Sequence, residues 1–175
     1  MSIPADTRAR RALLSLSLCL FALSAYAADL SHVSELAPGE LTGSGLISQA
    51  GVQQEGTSNE AGVEQQGNRQ NALIVQAGAE NVARHAQAGQ DNVAISRQYG
   101  AWNEAIVIQA GHNNTAYTDQ TGQYNEISIS QQANEAYANV MQYGEGNQAI
   151  ISQSTDGAFA NVTQFGDGNI ANISQ

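Results

Sequence analysis

The chain of 175 residues has little of what usually holds a small exported domain together. It has one cysteine, Cys19, so no disulfide can form within one copy, and only two prolines. Aromatic residues make up 6% and charged residues 13%, too few for an ordinary globular core and surface, and also too little charge for a chain kept disordered by repulsion. The 42% hydrophobic content does not offset this, because much of it is alanine. What is abundant is glutamine and asparagine, with 17 glycines. That composition belongs either to a disordered chain or to a β-aggregating one, and periodicity decides between them.

The stretch 1–27 reads as a leader. Arg8, Arg10 and Arg11 precede an apolar run from Ala12 to Leu23, followed by Ser24-Ala25-Tyr26-Ala27. A basic start, a short apolar run and an A-x-A site predict a signal peptide cut after Ala27. The run is too short for a membrane span. Cys19 lies within it, and bulky Leu18 before it argues against lipidation. Without the leader there are 15 acids (16 less Asp6) against Arg69, Arg84 and Arg97, a balance of about −12 with His neutral. Such a chain has no basic patch for nucleic acid, and its copies repel during export.

From Gln54 onward glutamine occupies every eleventh position: Gln54, Gln65, Gln76, Gln87, Gln98, Gln109, Gln120, Gln131, Gln142, Gln153, Gln164 and Gln175. Two positions after each comes glycine in nine of eleven intervals: Gly56, Gly67, Gly78, Gly89, Gly100, Gly111, Gly122, Gly144 and Gly166. Five after comes asparagine in eight: Asn59, Asn81, Asn92, Asn103, Asn114, Asn125, Asn147 and Asn169. Alanine stands seven after in ten intervals, and Val or Ile nine after in eight, with His85, Ser96 and Thr118 departing. The unit is Q-x-G-x-x-N-x-A-x-[VI]-x.

From Asn through Ala and Val/Ile to Gln the specified residues alternate, the period of a strand with one face fixed. The G-x-x-N segment, with residues that tolerate positive φ, predicts a tight turn. A strand of about six residues cannot bury its inward face alone, so successive units must stack. The intervals from Gln131 and Gln153 both lose Gly and Asn and lie 22 apart. Tyr99, Tyr143 and Phe165 are spaced by multiples of 22, and Trp102 and Tyr124 by 22. These predict two strands per rung, hence an all-β, cross-β solenoid in which each eleven-position unit is half a rung. Eleven units make five and a half rungs, about 26 Å at roughly 4.8 Å each. Gln and Asn columns would form amide ladders, each side chain bonding its equivalents above and below.

At these offsets (Gln142, Gly144, Asn147, Ala149, Gln153) the sequence resembles the curlin family, subunits of bacterial curli amyloid fibres. The resemblance covers residues 54 to 175 and implies a secreted structural protein of adhesion and biofilm matrix, not an enzyme. It implies self-polymerisation, a second curlin subunit as partner, and export through the outer-membrane curli secretion pore with its accessory factors to an extracellular surface fibre. Residues 28–45, ADLSHVSELAPGELTGSG, lack the repeat and by resemblance form a secretion-targeting tail before a core at 46–175. Ile47-Ser48-Gln49 reads as the end of a strand, out of phase, in an irregular first rung. The clean last unit, FGDGNIANISQ, favours a fibre subunit over the minor curlin that nucleates assembly, whose last repeat is usually basic.

Other chemistries find little support. His85, His32 and His112 are scattered and imply no metal, and the regular glycine and aspartate pattern of a calcium-binding repeat is missing. No cofactor site and no catalytic constellation is visible. Glu60, Glu64, Asp119 and Glu126 read as a solvated face. By resemblance Asp91, Asp156 and Asp167 are candidate gatekeepers that slow aggregation. Tyr99, Tyr143 and Phe165 are expected to stack within the fibre rather than form an adhesive surface. The competing class is a monomeric β-solenoid adhesin, which would carry an atypical polar cap at its end.

Overall fold

A computed structural model describes residues 47–175. The leader and tail expected at 1–27 and 28–45, His32 among them, lie outside the described residues. Twelve strands follow one another: β1 Gln49–Thr57, β2 Glu60–Asn68, β3 Asn71–Ala79, β4 Val82–Gln90, β5 Val93–Ala101 and β6 Glu104–His112. Then come β7 Thr115–Gln123, β8 Glu126–Gln132, β9 Tyr137–Glu145, β10 Gln148–Gln153, β11 Phe159–Phe165 and β12 Ile170–Ser174.

Odd strands form one parallel sheet in the order β1-β3-β5-β7-β9-β11, and even strands form the other, β12-β10-β8-β6-β4-β2. Every pairing joins positions 22 apart in the sequence, as in Gln76↔Gln98 and Ala83↔Ala105. Each rung is therefore one odd and one even strand, and the chain is an all-β solenoid of six rungs.

The alternation in sequence becomes alternation in burial. In β9, Ala138, Val140 and Gln142 are buried between less buried neighbours. Between the sheets lie alanine and Val/Ile columns, Ala94, Ala116, Val107 and Ile129 among them, all at most 1% exposed. Covering both inner faces removes from water what one strand exposes, about 25 cal/mol per Å² of apolar surface. Because parallel strands stack in register, like residues meet like residues at every rung.

Two expectations need correction. The first rung is regular: Gln49 begins β1 rather than ending a strand, and Ala50 and Val52 pair with Ala72 and Ile74. The phase was legible in Gly45, Ser48, Ala50, Val52 and Gln54, where Ser stands for Asn. Six rungs replace five and a half as a result. The strands are also longer than expected, mostly 9 residues, because each runs on through its glycine before turning.

Candidate functional site: the amide columns and the corners

The polar columns are the chemistry of this molecule. Among the even-numbered repeat glutamines, Gln54 donates to Gln76 (2.7 Å), Gln76 to Gln98 (2.7 Å) and Gln98 to Gln120 (2.9 Å). Gln120 then donates to Gln142 (3.1 Å) and Gln142 to Gln164 (2.8 Å). The second column runs alike through Gln65, Gln87, Gln109, Gln131, Gln153 and Gln175, at 2.8 to 3.2 Å. From Gln65 onward, another N–H of each repeat amide goes across the interior to a backbone carbonyl, as from Gln76 to Glu60 (3.0 Å). That carbonyl precedes Ala61, and Ala leaves the room the amide needs. Both donors of a buried amide are thus satisfied, which makes its burial tolerable.

Asparagine behaves differently at the two corners of the rung. Where odd strands pass to even ones, Asn59, Asn81, Asn103, Asn125, Asn147 and Asn169 form one column. Asn103 donates its Nδ2 to Asn81 Oδ1 (3.0 Å) and to the carbonyl of Gly122 (3.0 Å), and its backbone N–H also reaches Asn81 Oδ1. These amides donate toward the N-terminal rung, opposite to the glutamines. At the even-to-odd corner, Asn92 and Asn114 stand between Gln70 and Ala136. Asn114 Oδ1 accepts from Ala136 N–H (3.0 Å), and its Nδ2 goes to backbone carbonyls of Ala110 and Ala133. Asn114 donates its backbone N–H to Asn92 Oδ1 (3.1 Å), but among the described residues no side-chain-to-side-chain bond joins the two, so they depart from the expected ladder. Gln70 is a methylene too long for the column, and its buried Oε1 has no partner.

The glycines expected in turns (Gly56, Gly67, Gly78, Gly89, Gly100, Gly111, Gly122, Gly144 and Gly166) have φ between 92° and 129°. Most lie inside strands rather than in the turns. Gly100 shows why the position is strict: a Cβ there would lie 2.0 Å from the carbonyl oxygen of Gly122 in the next rung. The turn residue proper comes two positions later, with φ of 54° to 60° at Ser58, Arg69, Glu80, Asp91, Trp102, Asn113, Tyr124 and Glu135. Sequence reasoning missed this left-handed site because its side chains vary. The signal was present only at the C-terminal end, where Gly146, Gly157 and Gly168 occupy it.

Of the aspartates, Asp91 forms an ion pair with Arg69 one rung away (2.6 Å). The hydrogen bond from Arg69 holds its carboxyl below the usual range. Asp156 accepts from the backbone N–H of Asn134 (2.8 Å), and Asp167 from that of Glu145 (2.9 Å). Tyr143 and Phe165 stack at 5.2 Å, whereas Thr121 separates Tyr99 from Tyr143. Trp102 stacks on Tyr124 at 6.2 Å.

The three residues that break the Val/Ile column meet in the interior. His85 Nε2 lies 2.7 Å from Ser96 Oγ, and Thr118 Oγ1 donates to the same oxygen at 2.7 Å. His85 Nδ1 is buried without a partner, and burial pushes the imidazole down to about 4. A neutral ring is the form this cavity accepts.

Three stretches, residues 89–122, 103–132 and 133–166, match the family model described as the curlin associated repeat. Comparisons with curated proteins and with solved structures give no match. The matched stretches run from β4 to β11 and carry the columns described above, so residues 89–166 are curlin-type repeats, which supports membership of the curlin family.

Proposed function

We propose that the protein is a secreted, self-assembling structural subunit of curli-type fibres. The observation that carries this reading is the state of the two ends. Among the described residues nothing pairs with the outer edges of β1 and β2 or of β11 and β12. Gln164 and Gln175 have no following glutamine for their second N–H, and Gln54 and Gln65 no preceding one among the described residues. A second copy placed on the last rung in the same register would continue both glutamine columns and the asparagine column, each with its donors pointing the right way. An uncovered edge of this kind templates further pairing, and among the described residues nothing caps β11 and β12.

Gly166 offers the test. A Cβ there meets nothing closer than Asn169 Nδ2 at 3.9 Å, in contrast to Gly144, where it would meet the Gly166 carbonyl at 2.2 Å. On this reading Gly166→Ala spoils the growing edge, through its φ of 92° and the carbonyl of the incoming rung, more than it spoils the rungs beneath. Seeded thioflavin kinetics on residues 28 to 175 should show elongation reduced at least tenfold. Elongation equal to that of the unaltered chain would contradict the stacking geometry.

Gatekeeping fits Asp156 and Asp167 better than Asp91, whose charge Arg69 neutralises. Their carboxylates hold backbone N–H groups, so Asn in their place would keep the bond and remove the charge. Asp156→Asn together with Asp167→Asn should shorten the lag of assembly, and an unchanged lag would remove the gatekeeping role.

A further inference from the structure

The two outer faces of the solenoid differ in kind. Among the described residues, six of the eight aromatic side chains stand on the odd sheet: Tyr99, Tyr117, Tyr137, Tyr143, Phe159 and Phe165. None stands on an even strand. Phe159 and Phe165 are 63% and 71% exposed, and Tyr137 stacks on Phe159 at 5.0 Å.

Charge lies mostly on the even strands and the corners. The described residues carry 12 acids and three arginines, a balance of −9. The odd strands hold Glu55, Arg97, Asp119 and, at the end of β9, Glu145, net −2, and Arg97 and Asp119 are register partners on adjacent strands. The even face holds Glu60, Glu64, Glu104 and Glu126 against Arg84, net −3. The corners hold the remaining −4. Two copies of so acidic a chain repel least along the odd side.

We propose that the odd face is a lateral docking surface for a second copy of this chain, odd face to odd face, while the even face stays in solvent. Six rungs at about 4.8 Å and seven residues along each strand at about 3.3 Å give a footprint of roughly 650 Å² per copy. A pair then covers about 1,300 Å², within the range of specific interfaces. Paired sheets about 10 Å apart would interdigitate the tyrosine and phenylalanine rows as dry zippers do. In a filament the contact recurs with every subunit, so a weak single contact becomes a strong one. The inference rests on the fibre reading for its scale, but the pairing itself does not need a filament.

The test uses the full chain with Tyr143→Glu and Phe165→Glu, against a control that places the same charges on the even face, Ile108→Glu and Ile150→Glu. Electron microscopy should show paired or bundled filaments for the unaltered chain and the control, and single filaments for the odd-face variant. Fibre diffraction reports separately whether each still forms rungs. If no chain forms filaments, the fibre reading fails, and sedimentation decides the pairing. A dimer lost only in the odd-face variant supports it, and a monomeric unaltered chain overturns it. A second arm guards against variants that do not fold: with Cys19→Ser throughout, Thr121→Cys on the odd face should form disulfides between copies and Ser130→Cys on the even face should not. Equal cross-linking at both positions, single filaments of the unaltered chain, or bundling of the odd-face variant would each overturn the proposal.

Discussion

The two corners of the rung solve one problem with different strictness. At the odd-to-even corner every rung keeps its glycine and its asparagine, from Gly56 and Asn59 to Gly166 and Asn169. Their bonds close the corner alike from rung to rung. At the even-to-odd corner the pattern fails from β8 onward, where Ala133 and Thr155 replace glycine and Ala136 and Ala158 replace asparagine. There β8 and β10 stop short, and side chains from outside the motif take over. Asn134 Oδ1 accepts from His112 N–H (3.0 Å), and Asp156 from Asn134 N–H. One complete corner is enough to hold register, because a slip by one position would turn every inward side chain outward. The other is then free to vary.

The largest effect should come from Gly100→Ala, at the strict corner. A positive φ and a backbone carbonyl 2.0 Å from the new Cβ combine, and a loss of about 4 kcal/mol or failure to fold is expected. The matching change at the lax corner, Thr155→Gly, should shift stability by less than about 1 kcal/mol. Denaturant midpoints compare the two directly, and similar losses would erase the distinction.

Next in size is Asn103→Ala. It leaves the Gly122 carbonyl and the Asn125 N–H groups without their side-chain partner, a cost of about 3 kcal/mol. Asn114→Ala should cost less, roughly 1 to 2 kcal/mol, since Ala136 and Ala158 already occupy its column. A larger loss at Asn114 than at Asn103 would reverse the comparison.

The interior gives a pH-dependent contrast. His85 has an ordinary value of 6.5 and is pushed down to about 4 by burial. The folded chain therefore binds fewer protons than the unfolded one between these values. Stability is complete above about 6.5 and is lost as pH falls through about 4, by something on the order of 3 kcal/mol. The inward groups packed around the ring are Val63, Val107, Ile74, Ser96 and Thr118, none of which titrates. His85→Val should flatten the dependence across this range, and an equally steep fall in this variant would place the effect elsewhere.

Smallest is Asp156→Ala, which removes one exposed bond to a backbone N–H at the lax corner and should cost about 1 kcal/mol. Asp156→Asn should recover most of it. Amide exchange at Asn134 reads the bond itself, and unchanged protection in Asp156→Ala would show that the bond contributes nothing.

Much of this was legible in the sequence, because a stacked repeat writes each contact many times. The spacing of the glutamines implied the strands, and departures 22 apart implied the two-strand rung. What escaped depends on geometry that the repeat does not spell out. The left-handed turn position accepts Arg69, Asp91, Trp102 and Glu80 alike, since the repeat fixes its backbone and not the type of its side chain. The first rung escaped because Ser48 replaces asparagine there. The meeting of His85, Ser96 and Thr118 requires knowing that facing sheets interleave their rungs. The asymmetry of the outer faces lay in residues the motif leaves free.

The fibre reading of this chain depends on its rungs continuing from one copy into the next. Fibre diffraction from aligned assemblies of residues 28 to 175 decides the matter. Continuous rungs require a meridional reflection at about 4.8 Å from the strand spacing and an equatorial one at about 10 Å from the sheet separation. A chain that stays monomeric for days and gives no reflection at about 4.8 Å would refute them.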